Sequence, residues 1–183
     1  MAEEVNRTRP NIVITGTPGT GKSTTAQAVA EASPIPLQNV NVAELVKQKE
    51  LHDGFDQEWQ SYIVDEDKVI DELEPLAAAG GLILDWHTCD AYPERWVDLV
   101  VVLQCDHTML WERLERREYP LKKIQENNTC EIMGTVLEEA REAYAEEIIV
   151  ALKSESTEDM DSNVERIVQW IQAWVANNSS ADS

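Results

Sequence analysis

The stretch GTPGTGKST occupies residues 16–24 and directly follows an apolar run, NIVIT, at residues 11–15. It matches the pattern GxxxxGK[ST] of a phosphate-binding loop at all its fixed positions, which are Gly16, Gly21, Lys22 and Ser23. Glycines let the backbone turn its N–H groups towards a phosphate at the start of a helix, where the helix dipole also favours negative charge. In such a loop the lysine reaches the β- and γ-phosphates and the serine hydroxyl binds Mg²⁺. The stretch therefore predicts a site for a nucleoside triphosphate with magnesium.

The composition indicates one globular domain with an unusually acidic surface. The chain has 183 residues, enough for one full core and too few for a second independent domain. It carries 35 acidic and 15 basic residues, for a net charge of -20. Such a surface repels nucleic-acid backbones and anionic membranes and attracts basic proteins, although acidity also serves solubility alone. We therefore expect no direct binding to nucleic acid.

The cysteines and the hydropathy pattern bear on the compartment. Cys89, Cys105 and Cys130 form no CxxC pair, and the sequence begins without a signal peptide. This predicts reduced thiols in the cytoplasm or nucleus. No apolar run approaches the roughly 20 residues needed to cross a bilayer, so no membrane partner is expected.

Apolar runs that are typical of buried strands alternate with segments of helical periodicity. Strands are predicted at residues 11–15, 35–42, 82–85, 97–103 and 148–152. Helices are predicted at residues 22–32, 43–50, 64–79 and 108–118, and on a last apolar stripe at 164–175. This alternation predicts an α/β fold in which a parallel five-stranded sheet is covered by helices on both faces.

The remaining segments give less regular patterns. Residues 51–61 predict an exposed loop, and a long charged helical stretch is predicted to break near Pro120 and Asn127. That stretch is expected to present one apolar face, made of Ile132, Met133, Val136, Leu137, Ala140 and Tyr144. Residues 1–10 predict a flexible lead and residues 177–183 a flexible tail, which leaves residues 11–176 as the single domain.

Asp85 ends the apolar run of residues 82–85. A magnesium–triphosphate complex needs a carboxylate near the metal, usually at the carboxyl end of a neighbouring strand. His87 follows two residues later and is placed to orient a water or a phosphate oxygen. Because a lone histidine in a loop is usually structural or solvated, this role depends on the phosphate loop nearby.

A later helical segment carries two arginines. Guanine-specific GTPases carry an NKxD sequence, which this chain lacks, whereas LWERLERR at residues 110–117 spaces Arg113 and Arg117 as i and i+4. Paired guanidinium groups suit phosphoryl transfer, because they neutralise charge on the transferring group and stack on bases. The alternative is an ordinary surface helix with ion pairs to Glu112 and Glu115.

Further motifs give the chain a specific resemblance. Besides GTPGTGKST it contains VDEDK at residues 64–68, LDWH at 84–87, YPERW at 92–96 and SNVERIVQW at 162–170. Together these motifs resemble the adenylate kinase isoenzyme 6 family, also called the coilin-interacting nuclear ATPase family, over residues 11–174. The phosphate loop alone is common to many NTPases, whereas the Asp–aromatic–His motif together with VDED and PERW is much more specific.

The resemblance implies a fold similar to small adenylate kinases, with a monophosphate-binding region at residues 41–64 and a short lid at 116–126. It implies adenylate kinase activity (ATP and AMP to two ADP) and ATPase activity. It also implies a role in late maturation of the small ribosomal subunit, in cytoplasm and nucleus, through binding of ribosomal protein uS11, with the pre-40S particle as an indirect partner. An alternative is an ATP-switched assembly chaperone for a basic ribosomal protein, in which kinase activity is incidental.

The motifs and the resemblance together give a set of candidate site residues. The ATP-binding candidates are Gly16, Gly19, Thr20, Gly21, Lys22, Ser23, Thr24, Arg113 and Arg117. The catalytic candidates are Lys22, Asp85, His87 and Arg117, and the Mg²⁺ candidates are Ser23 and Asp85. The AMP-binding candidates are Lys47 and Arg95.

Three features depart from the family pattern. Glu118 stands where the family has a glycine, which stiffens the turn and adds a negative charge near the phosphates. Lys47 stands where small adenylate kinases place an arginine for the AMP phosphate, so a point charge replaces a bidentate fork. The short lid has Lys122 and Lys123 as its only later cations. These departures predict that AMP phosphorylation is weakened more than ATP binding.

Overall fold

A computed structural model of the protein describes residues 6–179. Its strands are β1 (Ile12–Gly16), β2 (Gln38–Asn41), β3 (His52–Asp56), β4 (Ser61–Val64), β5 (Leu82–Asp85), β6 (Leu99–Gln104) and β7 (Ile149–Lys153). Its α-helices are α1 (Lys22–Ala32), α2 (Val42–Gln48), α3 (Glu66–Ala79), α4 (His107–Arg116), α5 (Leu121–Met133), α6 (Thr135–Ala143) and α7 (Thr157–Ser179). The predicted alternation of strands and helices is confirmed, with boundaries displaced by a few residues.

The central sheet has five strands in the order β2-β5-β1-β6-β7, and every neighbouring pair is parallel. Side chains of β1 alternate between two cores: Val13 packs with α2, α3 and α6, whereas Ile12 and Ile14 pack with α1 and α7. Because both faces of the sheet are covered, β1 and β5 are buried along their whole length and are apolar except at their carboxyl ends. The predicted parallel sheet with helices on both faces is confirmed.

The strand register brings three carboxyl ends together. Asp85, the last residue of β5, is paired with Ile14 on one side and with Asn41 on the other. The carboxyl ends of β1, β2 and β5 therefore lie side by side, and the phosphate loop follows β1 at this end of the sheet. Ligands of open parallel sheets bind outside the carboxyl ends of the strands.

At the opposite, amino-terminal end of the strands, Asn11 is buried directly before β1. Its Nδ2 donates to the carbonyls of Ala77 and Trp96, both at 2.9 Å. Its Oδ1 accepts from the Leu82 N–H at 3.1 Å. One asparagine thus ties the starts of β1 and β5 to the segment before β6.

The expected loop at residues 51–61 is instead most of a hairpin, in which β3 and β4 pair antiparallel. Tyr62 stacks on His52 with ring centroids 4.4 Å apart and contacts Phe55 edge-on at 5.2 Å. Cross-strand aromatic pairs of this kind stabilise a two-stranded ribbon that is otherwise polar. The polar, glycine-containing sequence concealed this pairing.

The predicted break near Asn127 is wrong, because α5 runs without interruption from Leu121 to Met133 and Asn128 is buried against the protein. The chain breaks at Gly134, which has a left-handed φ of 65°. Residues on the two sides of Gly134 therefore share no face. Ile132 and Met133 are 63% and 71% exposed, whereas Ala140 and Tyr144 are buried.

The ends of the described range differ from the flexible segments expected. Arg7 donates two hydrogen bonds to the Asp98 carboxylate, at 2.7 and 2.8 Å, and Arg9 donates to the Pro36 carbonyl. At the other end α7 continues to Ser179. The rest of the predicted lead and tail, residues 1–5 and 180–183, lies outside the described residues.

Two further expectations concern thiols and membranes. Cys89, Cys105 and Cys130 are all free thiols, as predicted. Between residues 6 and 179, no helix combines the length and the apolar character that a membrane span requires.

Candidate active site

The phosphate loop has the backbone geometry that its glycines predict. A Cβ at Gly16 would lie 2.7 Å from the Leu103 carbonyl oxygen, so only glycine allows β1 to turn so close to β6. Gly21 precedes α1 in a left-handed conformation with φ 88° and contributes no side-chain cap. The N–H groups of the first turn, at Lys22, Ser23 and Thr24, have no partner within the helix. They form an anion-binding helix start.

Thr20 and Arg113 shape this loop from behind. Thr20 is completely buried, and its hydroxyl donates to the Thr17 carbonyl at 2.7 Å. The Arg113 guanidinium donates to the carbonyls of Gly19, Ser154 and Glu155 at 3.1 to 3.2 Å. These bonds commit both side chains to backbone carbonyls. Their ATP-binding role stays a prediction, and it would have to come from backbone groups or from the shape of the loop.

Ser23 and Asp85 form the polar centre of the site. The Ser23 hydroxyl donates to Asp85 Oδ2 at 2.6 Å, and Asn41 Nδ2 donates to the same hydroxyl at 3.3 Å. Asp85 is only 3% exposed, and this burial raises the pKa of its carboxyl group, although the Ser23 hydrogen bond and the charge of Lys22 oppose the shift.

These donors fit the metal that the sequence implies. Mg²⁺ prefers oxygen ligands and is usually bound by one or two carboxylates together with substrate phosphates. Ser23 supplies a hydroxyl and Asp85 a carboxylate that gains a compensating charge when a cation binds. Both oxygens stand beside the helix start that would hold the phosphates, so the residues present fit a magnesium–nucleotide complex.

Lys22 and Arg117 supply positive charge to the same cleft. Lys22 is half-buried, and its Nζ donates to the Thr17 carbonyl at 3.4 Å. Burial, together with the charge of Arg117, lowers the pKa of Lys22 to about 8, against the opposing charges of Asp85 and Glu131. Arg117 lies just past α4 and faces the cleft, whereas Arg113 faces the loop carbonyls. The two arginines do not act as one pair.

His87 lies at the wall of the cleft and is held through its backbone. The Thr15 hydroxyl donates to the His87 carbonyl at 3.4 Å, and the Trp86 N–H donates to the Ile14 carbonyl at 3.3 Å. His87 is exposed and lines the cleft. Desolvation by the surrounding protein, followed by the charges of Lys22 and Lys123, lowers the pKa of its imidazole to about 4. His87 is therefore neutral at neutral pH.

The cleft has a volume of about 540 Å³, within the usual range for small-molecule sites. Its walls come from the phosphate loop, the start of α2, the β3–β4 hairpin and the first half of α5. The lid segment, residues 116–126, touches the hairpin: Lys122 pairs with Glu58 and stands over the Trp59 ring at 4.3 Å. Lys123 donates to the Gln60 carbonyl at 3.5 Å. The hairpin and the lid segment thus meet at the cleft.

The two AMP-binding candidates lie elsewhere. Arg95 pairs with Glu74 at 2.6 Å and is next to Trp96, whose carbonyl is bound by Asn11 at the opposite edge of the sheet from the phosphate loop. Lys47 is exposed, and α2 contributes Ala43 and Val46 rather than Lys47 to the cleft wall. Neither Arg95 nor Lys47 lines the cleft, and their role in AMP binding stays a prediction.

Glu118, which replaces the glycine of the family pattern, has a left-handed φ of 58°. A residue with a Cβ in this conformation is strained, at a cost of about 1 to 3 kcal/mol. The structure therefore explains why the family pattern has glycine here and why Glu118 stiffens the turn that begins the lid segment.

Several residues of the site escaped the sequence analysis. Asn41 could have been found, because it ends β2 beside Asp85, which ends β5. Tyr62 lines the cleft from a hairpin that was not predicted. Glu131 accepts a hydrogen bond from the Thr17 hydroxyl at 2.6 Å across 114 residues of sequence, and no local pattern signals such a contact.

Comparisons with known proteins place the fold and the chain. Residues 12–134 match the sequence pattern of a family described as "AAA domain". A shikimate kinase from Acinetobacter baumannii, solved in complex with shikimate, superimposes with a TM-score of 0.58 at 17% identity and covers 90% of this chain and 94% of its own. This likeness shows the fold, and with the phosphate loop it defines the class: a phosphate-loop protein with the architecture of small kinases.

Closer relatives define the family. An "Adenylate kinase isoenzyme 6 homolog" of Schizosaccharomyces pombe is 55% identical over 94% of this chain and 97% of its own length. A protein of the same name from Dictyostelium discoideum is 48% identical over 96% of this chain and 99% of its own. The chain belongs to the adenylate kinase isoenzyme 6 family.

Proposed function

We propose that this protein transfers the γ-phosphoryl group of ATP to AMP and, more slowly, to water. The observation that carries the proposal is the Ser23–Asp85 pair, held at 2.6 Å beside the first turn of α1 in the wall of the cleft. Such a pair would hold the metal of a metal–triphosphate complex next to the phosphates, as phosphoryl transfer requires. The relatives named as adenylate kinase isoenzyme 6 homologs support the choice of a nucleoside monophosphate as acceptor.

Each side chain of the site has a role in this proposal. The first-turn N–H groups and Lys22 would hold the phosphates, and Ser23 and Asp85 would hold Mg²⁺, which neutralises charge on the transferring group. Arg117 would stabilise the charge that develops on the phosphoryl group. His87, neutral at the cleft wall, would orient an attacking water or a phosphate oxygen through a hydrogen bond.

The acceptor side of the cleft predicts weak AMP binding. Residues 41–64 form one wall but contribute only Lys47 and Lys49 as permanent cations; Lys47 points away and Lys49 pairs with Glu72. The lysine that does line the cleft is Lys123, in the lid segment. An AMP phosphate would meet a point charge instead of a bidentate guanidinium fork. We expect AMP to bind more weakly than ATP.

The decisive test compares ADP formation from ATP plus AMP with ADP formation from ATP alone, both with Mg²⁺. We expect AMP to raise ADP formation by at least about tenfold, because an oriented acceptor replaces a poorly oriented water. Coupled spectrophotometry or separation of labelled nucleotides measures both reactions in one preparation.

The same assay needs controls for a contaminating kinase and for the role of His87. Asp85→Asn protein, prepared identically, should lose both activities, which excludes contamination. His87→Ala should lower the reaction with ATP alone by on the order of a hundredfold if His87 orients water. Equal ADP formation with and without AMP would refute the kinase proposal and leave an ATPase.

A second candidate function is favoured by the distribution of charge. The acid-rich stretches at residues 65–74 and 138–147 fall largely on α3 and α6, which pack on the same face of the sheet. With a net charge of -20, this face offers carboxylates to lysine- and arginine-rich segments. We propose that it binds a basic ribosomal protein, uS11 by the family resemblance, in an ATP-switched assembly step in the cytoplasm or nucleus.

This second proposal predicts an association rate that depends steeply on salt. Attraction between opposite potentials speeds encounter and is screened beyond about 8 Å at physiological ionic strength. Between low and high salt the on-rate for purified uS11 should fall by at least about tenfold, while the off-rate changes less. Stopped-flow fluorescence measures both. An on-rate indifferent to salt would leave the acidity as a solubility feature.

A further inference from the structure

Glu131 makes an unusual pair of contacts near the end of α5. Its Oε2 accepts from the Thr17 hydroxyl at 2.6 Å, and its Oε1 accepts from the Cys105 N–H at 2.9 Å. Thr17 belongs to the phosphate loop, and Cys105 directly follows β6. A single half-buried carboxylate therefore fastens α5 to two loops at the carboxyl edge of the sheet.

Thr17 is the residue from which the phosphate loop is organised. Its carbonyl accepts from the Thr20 hydroxyl at 2.7 Å, from the Thr20 N–H at 3.2 Å and from Lys22 Nζ at 3.4 Å. The side chain of Thr17 is 2% exposed, and its hydroxyl bonds to Glu131. The orientation of this one residue thus decides where Thr20 and Lys22 are held.

The other end of α5 belongs to the opposite side of the cleft. Lys123 and Asn127 line the cleft, and Lys123 lies about 12 Å along the helix from Glu131, given a rise of about 1.5 Å per residue. Because α5 is one uninterrupted helix, the hydrogen bonds of Glu131 hold its carboxyl-terminal end in place. The amino-terminal end of α5, which belongs to the lid segment, can move only about this fixed end. Glu131 also holds the phosphate loop.

We infer that Glu131 is a positioning residue, which couples α5, and with it the lid segment, to the phosphate loop. It holds that loop in the conformation that binds the nucleotide. The effect on ATP binding stands by itself, whereas any effect on transfer to AMP rests on the proposed function. Glu131 acts through its bond to Thr17 and, more weakly, through its charge near Lys22, so its loss should change the site without removing any group that touches the phosphates.

The test is a double-mutant cycle between Thr17→Val and Glu131→Gln. Each single variant should weaken binding of a fluorescent ATP analogue by on the order of tenfold, the usual effect of losing a hydrogen bond to a charged group. The two losses should not add, because both variants remove the Thr17–Glu131 hydrogen bond; the double variant should be little worse than Glu131→Gln, which also weakens the Cys105 contact and removes a charge near Lys22. Amide hydrogen exchange at residues 17–21 should rise in all three. With AMP as acceptor, the KM for ATP should change more than the KM for AMP.

Matched variants separate positioning from general damage. Thr17→Ser keeps the hydroxyl and should recover most of the analogue binding that Thr17→Val loses. Thr129→Val removes an exposed hydroxyl of α5 that bonds only within its own helix, and Glu165→Gln removes an exposed charge on α7; both should leave binding and exchange unchanged. If Glu131→Gln does not fold, Thr17→Val against Thr17→Ser decides alone.

Two outcomes overturn the inference. Fully additive losses in the cycle, or normal ATP binding by Thr17→Val, would show that the contact does not organise the loop. A failure of the kinase proposal looks different, since the wild type would then bind ATP and show the same coupling without transferring phosphoryl to AMP.

Discussion

Lys22→Ala protein is expected to lose both phosphoryl transfer to AMP and ATP hydrolysis, by on the order of a thousandfold, while it folds normally. Lys22 stands in the cleft, and its described hydrogen bond is a long one to the Thr17 carbonyl, so its side chain contributes little to the core. Its charge, in contrast, faces the place where phosphates would lie. Steady-state kinetics and thermal melting of the same samples measure the two effects.

The protonation of Lys22 gives this prediction a second signature. Its pKa of about 8 in the free protein lies below the usual value of 10.5, so folding disfavours the charged form. Stability linked to Lys22 is therefore reduced at neutral pH and recovers as the pH rises from 8 towards 10.5. The alanine variant should melt at or above the wild-type temperature at pH 7 without nucleotide. ATP affinity of the wild type should fall above about pH 8.

The control for Lys22→Ala is Lys68→Ala, which removes an exposed lysine at the start of α3 that pairs with Asp65 at 3.8 Å. It should keep full activity. Normal turnover by Lys22→Ala with a normal melting curve would contradict the phosphate-loop assignment. Loss of folding by Lys22→Ala alone would show instead that the lysine is part of the core.

The sequence was sufficient for the fold because its strongest signals are local. The glycine loop after an apolar run indicates β1 and α1, and the short apolar runs at residues 82–84 and 99–103 are typical of buried parallel strands. It was insufficient for the β3–β4 hairpin, whose stability comes from Tyr62 contacts across the turn. It was also insufficient for α5: two asparagines suggested a break near Asn127, whereas the helix continues to Met133 and ends at Gly134.

The residues of the candidate site also differ in whether a local sequence signal identifies them. Ser23, Asp85 and Lys22 follow from the loop motif and the ends of strands, and the structure brings them together. The assignments of Arg95 and Lys47 rested on the family resemblance, and a resemblance in sequence does not say which side chains line the cleft. Glu131 could not be predicted at all, since its partner is on another element far away in the chain.

Asp85→Asn protein is expected to be almost inactive and yet more stable than the wild type in the absence of Mg²⁺. The carboxylate is 3% exposed, and burial raises its pKa above the usual value, so ionisation costs folding free energy. Asp85 therefore contributes its full share to the folding stability below the unfolded pKa of about 3.9, where it is protonated. This contribution is lost as the pH rises through the folded pKa. Asparagine removes the charge and keeps an oxygen that can accept the Ser23 hydroxyl. Activity should fall at least about a hundredfold.

The measurement is thermal melting at pH 7 in a chelator, followed by titration with Mg²⁺ and ATP. Without metal, the melting temperature of Asp85→Asn should rise by about 2 to 4 °C for each kcal/mol relieved. With Mg²⁺–ATP, the wild type should gain stability through binding, and the variant should gain much less. Asp98→Asn is the control of opposite sign, because Asp98 accepts two hydrogen bonds from Arg7 and one from the Asn11 N–H; it should melt earlier. A lower melting temperature for Asp85→Asn, or an unchanged response to Mg²⁺, would mean that Asp85 is a structural residue and not the metal ligand.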